Sequence, residues 1–351
     1  MVQQRPLDLS QPLDQNASPK LEKVPLTPEL IESALVLHGD YYGQSQSRLN
    51  RFLFWHPVSL TIYSIVFPIA LAYGLWDYIT ISDSIGEFFY YFARSTDPFF
   101  EILGVLPAIV ITLGIIGLIS YLISDDIKTV SDELPKQEYA KQIFGFDIKL
   151  FSWLDPTVNK EKSDIELLAL GNNTQFIIYR ESPIAVCTIN PDYENSTEKE
   201  FIVRLTGLHI RKVFQKVDFD DLLLDWAIIR SRELFKPFSK KLKIKNIEES
   251  KITITTKAYT FNKQQIDILL KKDFVEVDST IDLNPFVKSK YSSIQKAVYK
   301  YLNIGIKTFA FSFIPKSEDE DLLIKLGQDA VLNDAEVVGK ESNKKSLRKR
   351  H

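Results

Sequence analysis

The sequence predicts an α+β protein in which a two-helix transmembrane hairpin is followed by a mixed-sheet domain. Two charge-free apolar runs stand close together: Pro57 to Trp76, twenty residues, and Ile102 to Ser124, twenty-three. A helix rises about 1.5 Å per residue, so each run can cross a hydrocarbon layer of roughly 30 Å. Beyond residue 165, short β-branched runs alternate with amphipathic stretches, the pattern of a mixed α and β domain. A chain of 351 residues has room for one such module and one ordinary domain.

The expected boundaries are an N-terminal tail with a short helix over 1–50, the hairpin over 51–128, a cytosolic domain over 129–315 and a charged tail over 316–351. The opening stretch is polar and proline-containing, with no apolar signal-peptide core, so targeting falls to the first span. Residues 1–25 read as disordered. Thr27-Pro28-Glu29 reads as a helix start, with a short helix to His38 ended by Gly39.

Aromatic residues place the hairpin. Trp55 and Trp76 flank the first span, and Phe88, Phe89, Tyr90, Tyr91 and Phe92 crowd the connection, where Ser84 to Ala93 reads as a short interfacial helix. Arg48 and Arg51 precede the first span, and Lys128, Lys136 and Lys141 follow the second. The connection carries only Arg94 against Asp77, Asp83, Glu87, Asp97 and Glu101. Positive residues stay cytosolic, so both termini are expected in the cytosol and the connection in the lumen. Neither span holds an Asp, Glu, Lys or Arg to mark a transport pathway. Ala70 with Gly74, and Gly104 with Ala108, are small-residue pairs that permit close helix packing, within the hairpin or against another membrane protein.

Net charge is -3 with both signs mixed, which gives no nucleic-acid signal. Cys187 is the single cysteine, so no internal disulfide forms, as suits a reducing compartment. The stretch from Asp125 to Lys141 reads as a linker or connecting helix. In the domain, Thr174–Tyr179 and Ile184–Ile189 are strands joined as a hairpin through Arg180–Pro183, and Phe201–Ile210 is a third strand. Asp218–Phe235 is an amphipathic helix with Leu222, Leu223, Trp226, Ile229 and Leu234 on its apolar stripe. Strand Lys251–Phe261, helix Asn262–Lys272, strand Phe274–Ile281, helix Ser289–Leu302 and strand Lys307–Ile314 complete it.

This order, over about 165–315, resembles the Gcn5-related N-acetyltransferase fold. That likeness implies a coenzyme A turn rich in glycine before the main helix, where backbone amides meet the pyrophosphate. Here the turn reads Arg211-Lys212-Val213-Phe214-Gln215-Lys216-Val217-Asp218, without glycine, and Asp218, Asp220 and Asp221 are expected to cap the helix start and repel phosphate. Leu269 stands where many relatives carry a tyrosine acid, and Asp273 where they carry glycine. No catalytic residue and no cofactor are therefore expected. His38, His56, His209 and His351 lack metal-ligand spacing, so no metal is expected, and His209 reads as a packed or hydrogen-bonded strand residue. Arg348 and Lys349 lie four and three places from the end and resemble a dibasic signal that returns membrane proteins to the endoplasmic reticulum. The same cations could instead meet anionic headgroups at about 1 kcal/mol each, or be solvated.

Four stretches together resemble a small fungal family: Leu37-His38-Gly39-Asp40-Tyr41-Tyr42, Phe144-Gly145-Phe146-Asp147, Tyr179-Arg180-Glu181-Ser182-Pro183-Ile184-Ala185, and Thr206-Gly207-Leu208-His209-Ile210-Arg211-Lys212-Val213-Phe214. With the hairpin in its place, the chain from about 30 to 235 is similar to the endoplasmic-reticulum proteins that help package the high-affinity inorganic phosphate permease of yeasts. The resemblance implies a membrane chaperone with a polytopic phosphate permease as client, vesicle-coat components and the lipid bilayer as further partners, and no binding residues that carry over. A membrane-bound N-acetyltransferase and a membrane-shaping hairpin protein stand as alternatives.

Overall fold

The β-branched runs pair into one seven-stranded mixed sheet in the computed structural model of the chain, which describes residues 20–94, 97–154, 162–244 and 250–315. The strands are β1 (Leu21–Pro25), β2 (Thr174–Tyr179), β3 (Ser182–Pro191), β4 (Glu200–Ile210), β5 (Lys251–Tyr259), β6 (Val275–Thr280) and β7 (Ile306–Phe313), in the spatial order β1-β2-β3-β4-β5-β7-β6. The helices are α1 (Ile31–Phe54), α2 (Pro57–Gly74), α3 (Trp76–Ile81), α4 (Ile85–Arg94), α5 (Asp97–Glu133), α6 (Gln137–Phe144), α7 (Ile148–Ser152), α8 (Lys162–Leu170), α9 (Phe219–Leu242), α10 (Lys263–Lys271) and α11 (Ser293–Tyr301). The chain divides into two units, Met1–Gly43 with Thr129–His351, and Gln44–Lys128.

Neighbouring strands run antiparallel except β4 and β5, which are parallel. The β2–β3 hairpin is set by Arg180 and Glu181, whose φ angles of 50° and 61° match the two-residue turn that suits the twist of paired strands. One sheet face carries the apolar core: Phe201, Val203 and Leu205 of β4, and Ile252 and Ile254 of β5, cluster with Leu223, Ala227 and Phe235 of α9. The opposite face receives the start of α1 and, on β3 and β4, α6. A bulge at Thr206 separates these roles. Ile189 stands opposite Leu205 and Thr188 opposite Gly207, so Gly207 and His209 turn away from the core that Leu205 faces.

The structure corrects two boundaries and decides a third. The stretch expected as tail forms β1 from Leu21, paired antiparallel to β2, because β2 offers a free edge that five residues can complete. Residues 1–19 lie outside the described residues. Gly39 does not end the first helix: after a 3-10 turn over Pro28–Leu30, α1 runs to Phe54. Its buried positions Ala34, Leu37, His38, Tyr42, Ser45, Leu49 and Leu53 keep helical spacing straight through Gly39. The Ser131 hydroxyl donates to the Gly39 carbonyl at 3.0 Å. Of the two readings of Asp125–Lys141, linker or connecting helix, the structure shows the helical one, since α5 continues to Glu133 and α6 follows.

In the second unit the helices differ from the expected spans 57–76 and 102–124 at their ends. α2 stops at Gly74 and α3 begins at Trp76, whereas α5 extends past its charge-free stretch on both sides. A run without charges marks apolar residues, while helical hydrogen bonding continues into polar flanks. Both helices are long and apolar enough to cross a membrane. They keep large apolar side chains outside: Ile69 is 64% exposed, Val110 64% and Leu122 62%. A soluble core helix would bury such residues. Four hydroxyls within them return to their own backbones, Thr61 to Pro57, Ser64 to Leu60, Thr112 to Ala108 and Ser120 to Ile116, which satisfies these donors in an apolar surrounding.

Candidate functional site

The bulge on β4 turns Gly207 toward α1, and α1 docks there. Gly207 is required at that spot: a Cβ would overlap the His38 imidazole. His38 Nε2 lies 3.0 Å from Thr188 Oγ1, which is itself 3.1 Å from Thr174 Oγ1. Two residues on, Asp40 Oδ2 accepts from His209 Nε2 at 2.9 Å. The Phe144 ring meets the His38 ring edge-on at 5.5 Å, and Thr206 Oγ1 donates to the Ile143 carbonyl. Burial, with the neighbouring His209, pushes the His38 pKa down to about 3, so this imidazole stays neutral at physiological pH. Three of the four stretches that carry the sequence resemblance therefore meet at one place: Leu37–Tyr42, Phe144–Asp147 and the β4 stretch from Thr206. His209 is a buried, hydrogen-bonded strand residue, as expected.

Beside this junction the sheet opens. β4 and β5 pair from Glu200↔Lys251 to Leu205↔Thr256, and both strands continue beyond without pairing to each other. The gap holds a cavity of about 150 Å³. Tyr41 and Tyr42 of α1 line it, and the Tyr41 hydroxyl donates to Gln265 Oε1 at 2.9 Å while its ring stacks at 6.4 Å on Tyr259. Arg204 and Lys257 also line it, and its lining contains no carboxylate. Burial and the charge of Arg204 lower the Lys257 pKa, against the pull of Asp282. Nothing in the sequence announces this cavity, because its residues come from α1, α6, α10, three strands (β4, β5 and β7) and the segment before α11.

The positions compared with acetyltransferases are ordinary structural residues. The turn after β4 is a 3-10 segment over Lys212–Phe214. Asp218 does not cap α9 as expected: its ψ of 44° is outside the extended range of a capping residue, and its side chain makes no cap bond. The neighbouring acids serve an ion pair instead, with Lys272 Nζ 2.9 Å from Asp225 Oδ1 and 4.0 Å from Asp221 Oδ1. Leu269 is fully buried, and Asp273 adopts φ 60° at the step from α10 to β6. Among the described residues no group of His, Cys, Asp and Glu could hold a metal ion. His56 caps α2 by accepting from the Val58 amide at 3.3 Å. Arg348, Lys349 and His351 lie outside the described residues.

In the hairpin unit, the two small-residue pairs part company. Gly74 is packed inside, since a Cβ there would overlap the Val105 side chain of α5. Gly104 has nothing within 4 Å of the place a Cβ would take, and Ala108 is exposed on the same face of α5. The pair Gly104 and Ala108 is thus open to another helix.

The class these features define is a mixed-sheet domain joined to two helices long and apolar enough to cross a membrane. The chain belongs to the family described as inorganic phosphate transporter chaperone Pho86, which it matches over residues 3–313. No curated protein matches it. Similar solved structures include Arabidopsis thaliana Naa50 in complex with a bisubstrate analogue, at 12% identity and TM-score 0.29, covering 52% of this chain and 93% of that one. Ard1 from Thermoplasma volcanium is similar at 12% identity and TM-score 0.27, covering 45% and 82%. An acetyltransferase of the GNAT family from Streptococcus pneumoniae is similar at 12% identity and TM-score 0.27, covering 44% and 79%.

Proposed function

We propose that this chain is a chaperone of the endoplasmic-reticulum membrane that promotes packaging and export of a polytopic phosphate permease, and so supports phosphate uptake indirectly. The family match over residues 3–313 carries this reading. The two apolar helices support a site of action in the bilayer, and the cationic flanks support cytosolic termini with a lumenal connection. Helix packing in lipid depends on close approach of small residues, so the open Gly104 and Ala108 face supplies a surface for client helices that lack their partners. The α+β domain would then engage client loops or vesicle coat without catalysing a reaction or holding a cofactor.

The order of strands and helices favours one second reading, a membrane-bound N-acetyltransferase. The glycine-free turn at Arg211–Asp218 and the buried Leu269 count against it. Saturable acetyl-CoA binding by the full chain would restore it.

The chaperone reading is tested by the assembly state of the permease in membrane extracts. Native gels of cells containing the chain should show the permease as a discrete species. Cells lacking it should show large assemblies of that permease, with an unrelated permease unchanged. Identical migration of the phosphate permease in both would contradict the reading.

A further inference from the structure

We propose that the cavity between the parting ends of β4 and β5 is a binding site for a small oxyanion, a phosphate or carboxylate group held by Arg204 and Lys257. The proposal goes beyond the chaperone reading and does not depend on it.

The charge balance of the cavity is one-sided: two cations line it and no acid does. Both cations are reached by solvent, so a ligand can arrive from outside. The acids nearby are otherwise engaged. Asp192 Oδ2 lies 3.5 Å from Arg204 Nε, but the Asp192 carboxylate also accepts from the Asn195 amide at 3.3 Å and from Asn195 Nδ2 at 2.9 Å. That contact uses Nε alone and leaves the paired terminal nitrogens of Arg204, the fork that grips planar and tetrahedral oxyanions. Lys257 Nζ donates to the Pro285 carbonyl at 2.7 Å, which occupies one of three donors. Asp282 favours the charged lysine without lining the cavity.

Strand geometry adds neutral donors beside the cations. Thr255 and Lys257 are two residues apart and share a face of β5, while Thr308 of β7 stands directly opposite Lys257. Both threonines line the cavity. Two like charges brought together in a partly buried space disfavour each other: burial first, and then the charge of Arg204, lowers the Lys257 pKa. A bound anion removes that repulsion. Tyr259 and Phe286 flank the site, so the anion can carry a short apolar body. A cavity of about 150 Å³ is the size that holds benzene in an engineered core.

The test is calorimetric titration of the full chain in detergent with inorganic phosphate, sodium acetate and sodium chloride. Saturable one-to-one binding of phosphate, acetate or both is expected, with chloride inert. Phosphate alone would identify a tetrahedral ligand, and acetate a carboxylate, each supporting the site. Lys257→Gln should weaken binding by about tenfold or more, because it removes one charge-assisted contact. Lys296→Gln on α11, outside the lining, should leave it unchanged. A readout free of mutation is the rate at which acetic anhydride modifies Lys257, followed by mass spectrometry. An oxyanion at about ten times its Kd should slow that rate by about tenfold by mass action, with Lys296 unaffected. No saturable heat with either oxyanion, or binding that leaves both Lys257 labelling and the Lys257→Gln affinity unchanged, overturns the proposal.

Discussion

The imidazole of His38 fills the space that the missing side chain of Gly207 leaves on β4. This fit joins α1 to the sheet, and it places Asp40 within 2.9 Å of His209 on the same strand.

Gly207→Ala should therefore destabilise the α+β unit by about 1–3 kcal/mol, the range for an added methyl in a filled space. Cys187 offers the assay, as the single thiol of the chain and a fully buried one whose pKa burial pushes up. Its labelling rate in increasing urea reports opening of the sheet. Combining the change with His38→Ala should cost less than the sum of the two single changes, since the small residue at 38 vacates the contested space.

The buried His38 also makes stability depend on pH. Its pKa in the fold, about 3, is below the ordinary value of 6.5, so the unfolded chain binds more protons between these limits. Stability contributed by the neutral imidazole is complete above pH 6.5 and is lost as pH falls toward 3. The slope is about 1.4 kcal/mol per pH unit, or about 2 kcal/mol between pH 6.5 and 5. Urea unfolding across that range should show this decline, and His38→Gln should flatten it. An unchanged slope in the variant would assign the pH dependence elsewhere.

Gly74 and Gly104 should respond oppositely to the same substitution. Gly74→Leu drives a side chain into Val105 and should lower the amount of protein recovered from membranes. Gly104→Leu with Ala108→Leu meets open space and should leave the protein level unchanged. If the open face receives the client, the double variant nevertheless loses permease co-isolation. Retained co-isolation would move the client contact off this face.

Orientation has its own check at two acceptor sequences, Asn172-Asn173-Thr174 and Asn195-Ser196-Thr197. With the α+β unit in the cytosol, neither asparagine is glycosylated, and glycosidase treatment should not shift mobility. A shift that disappears with Asn172→Gln or Asn195→Gln would place the unit in the lumen.

Most of the sheet was legible because its strands carry their own signal. Thr174–Tyr179 matches the expected strand residue for residue, and α9 was recognised by the spacing of Leu222, Leu223 and Ile229. β1 was not, because five mixed residues form a strand only when β2 lends its edge. The continuation of α1 through Gly39 was hidden too, since glycine is a helix stop unless packing on both sides holds it. The docking of His38 and Asp40 was present as a sequence resemblance but had no geometry until the Thr206 bulge turned Gly207 and His209 toward α1. Arg204 and Lys257 gave no signal, because isolated cations on strands acquire meaning only from the gap between them.

The role proposed for this chain is export of a phosphate permease from the endoplasmic reticulum. The most direct measurement is the location of a fluorescent phosphate permease in cells lacking the chain, beside an unrelated permease in the same cells. The phosphate permease alone is expected to be retained in the endoplasmic reticulum, and the intact chain to restore its delivery. Normal delivery of the phosphate permease to the cell surface without the chain would contradict it.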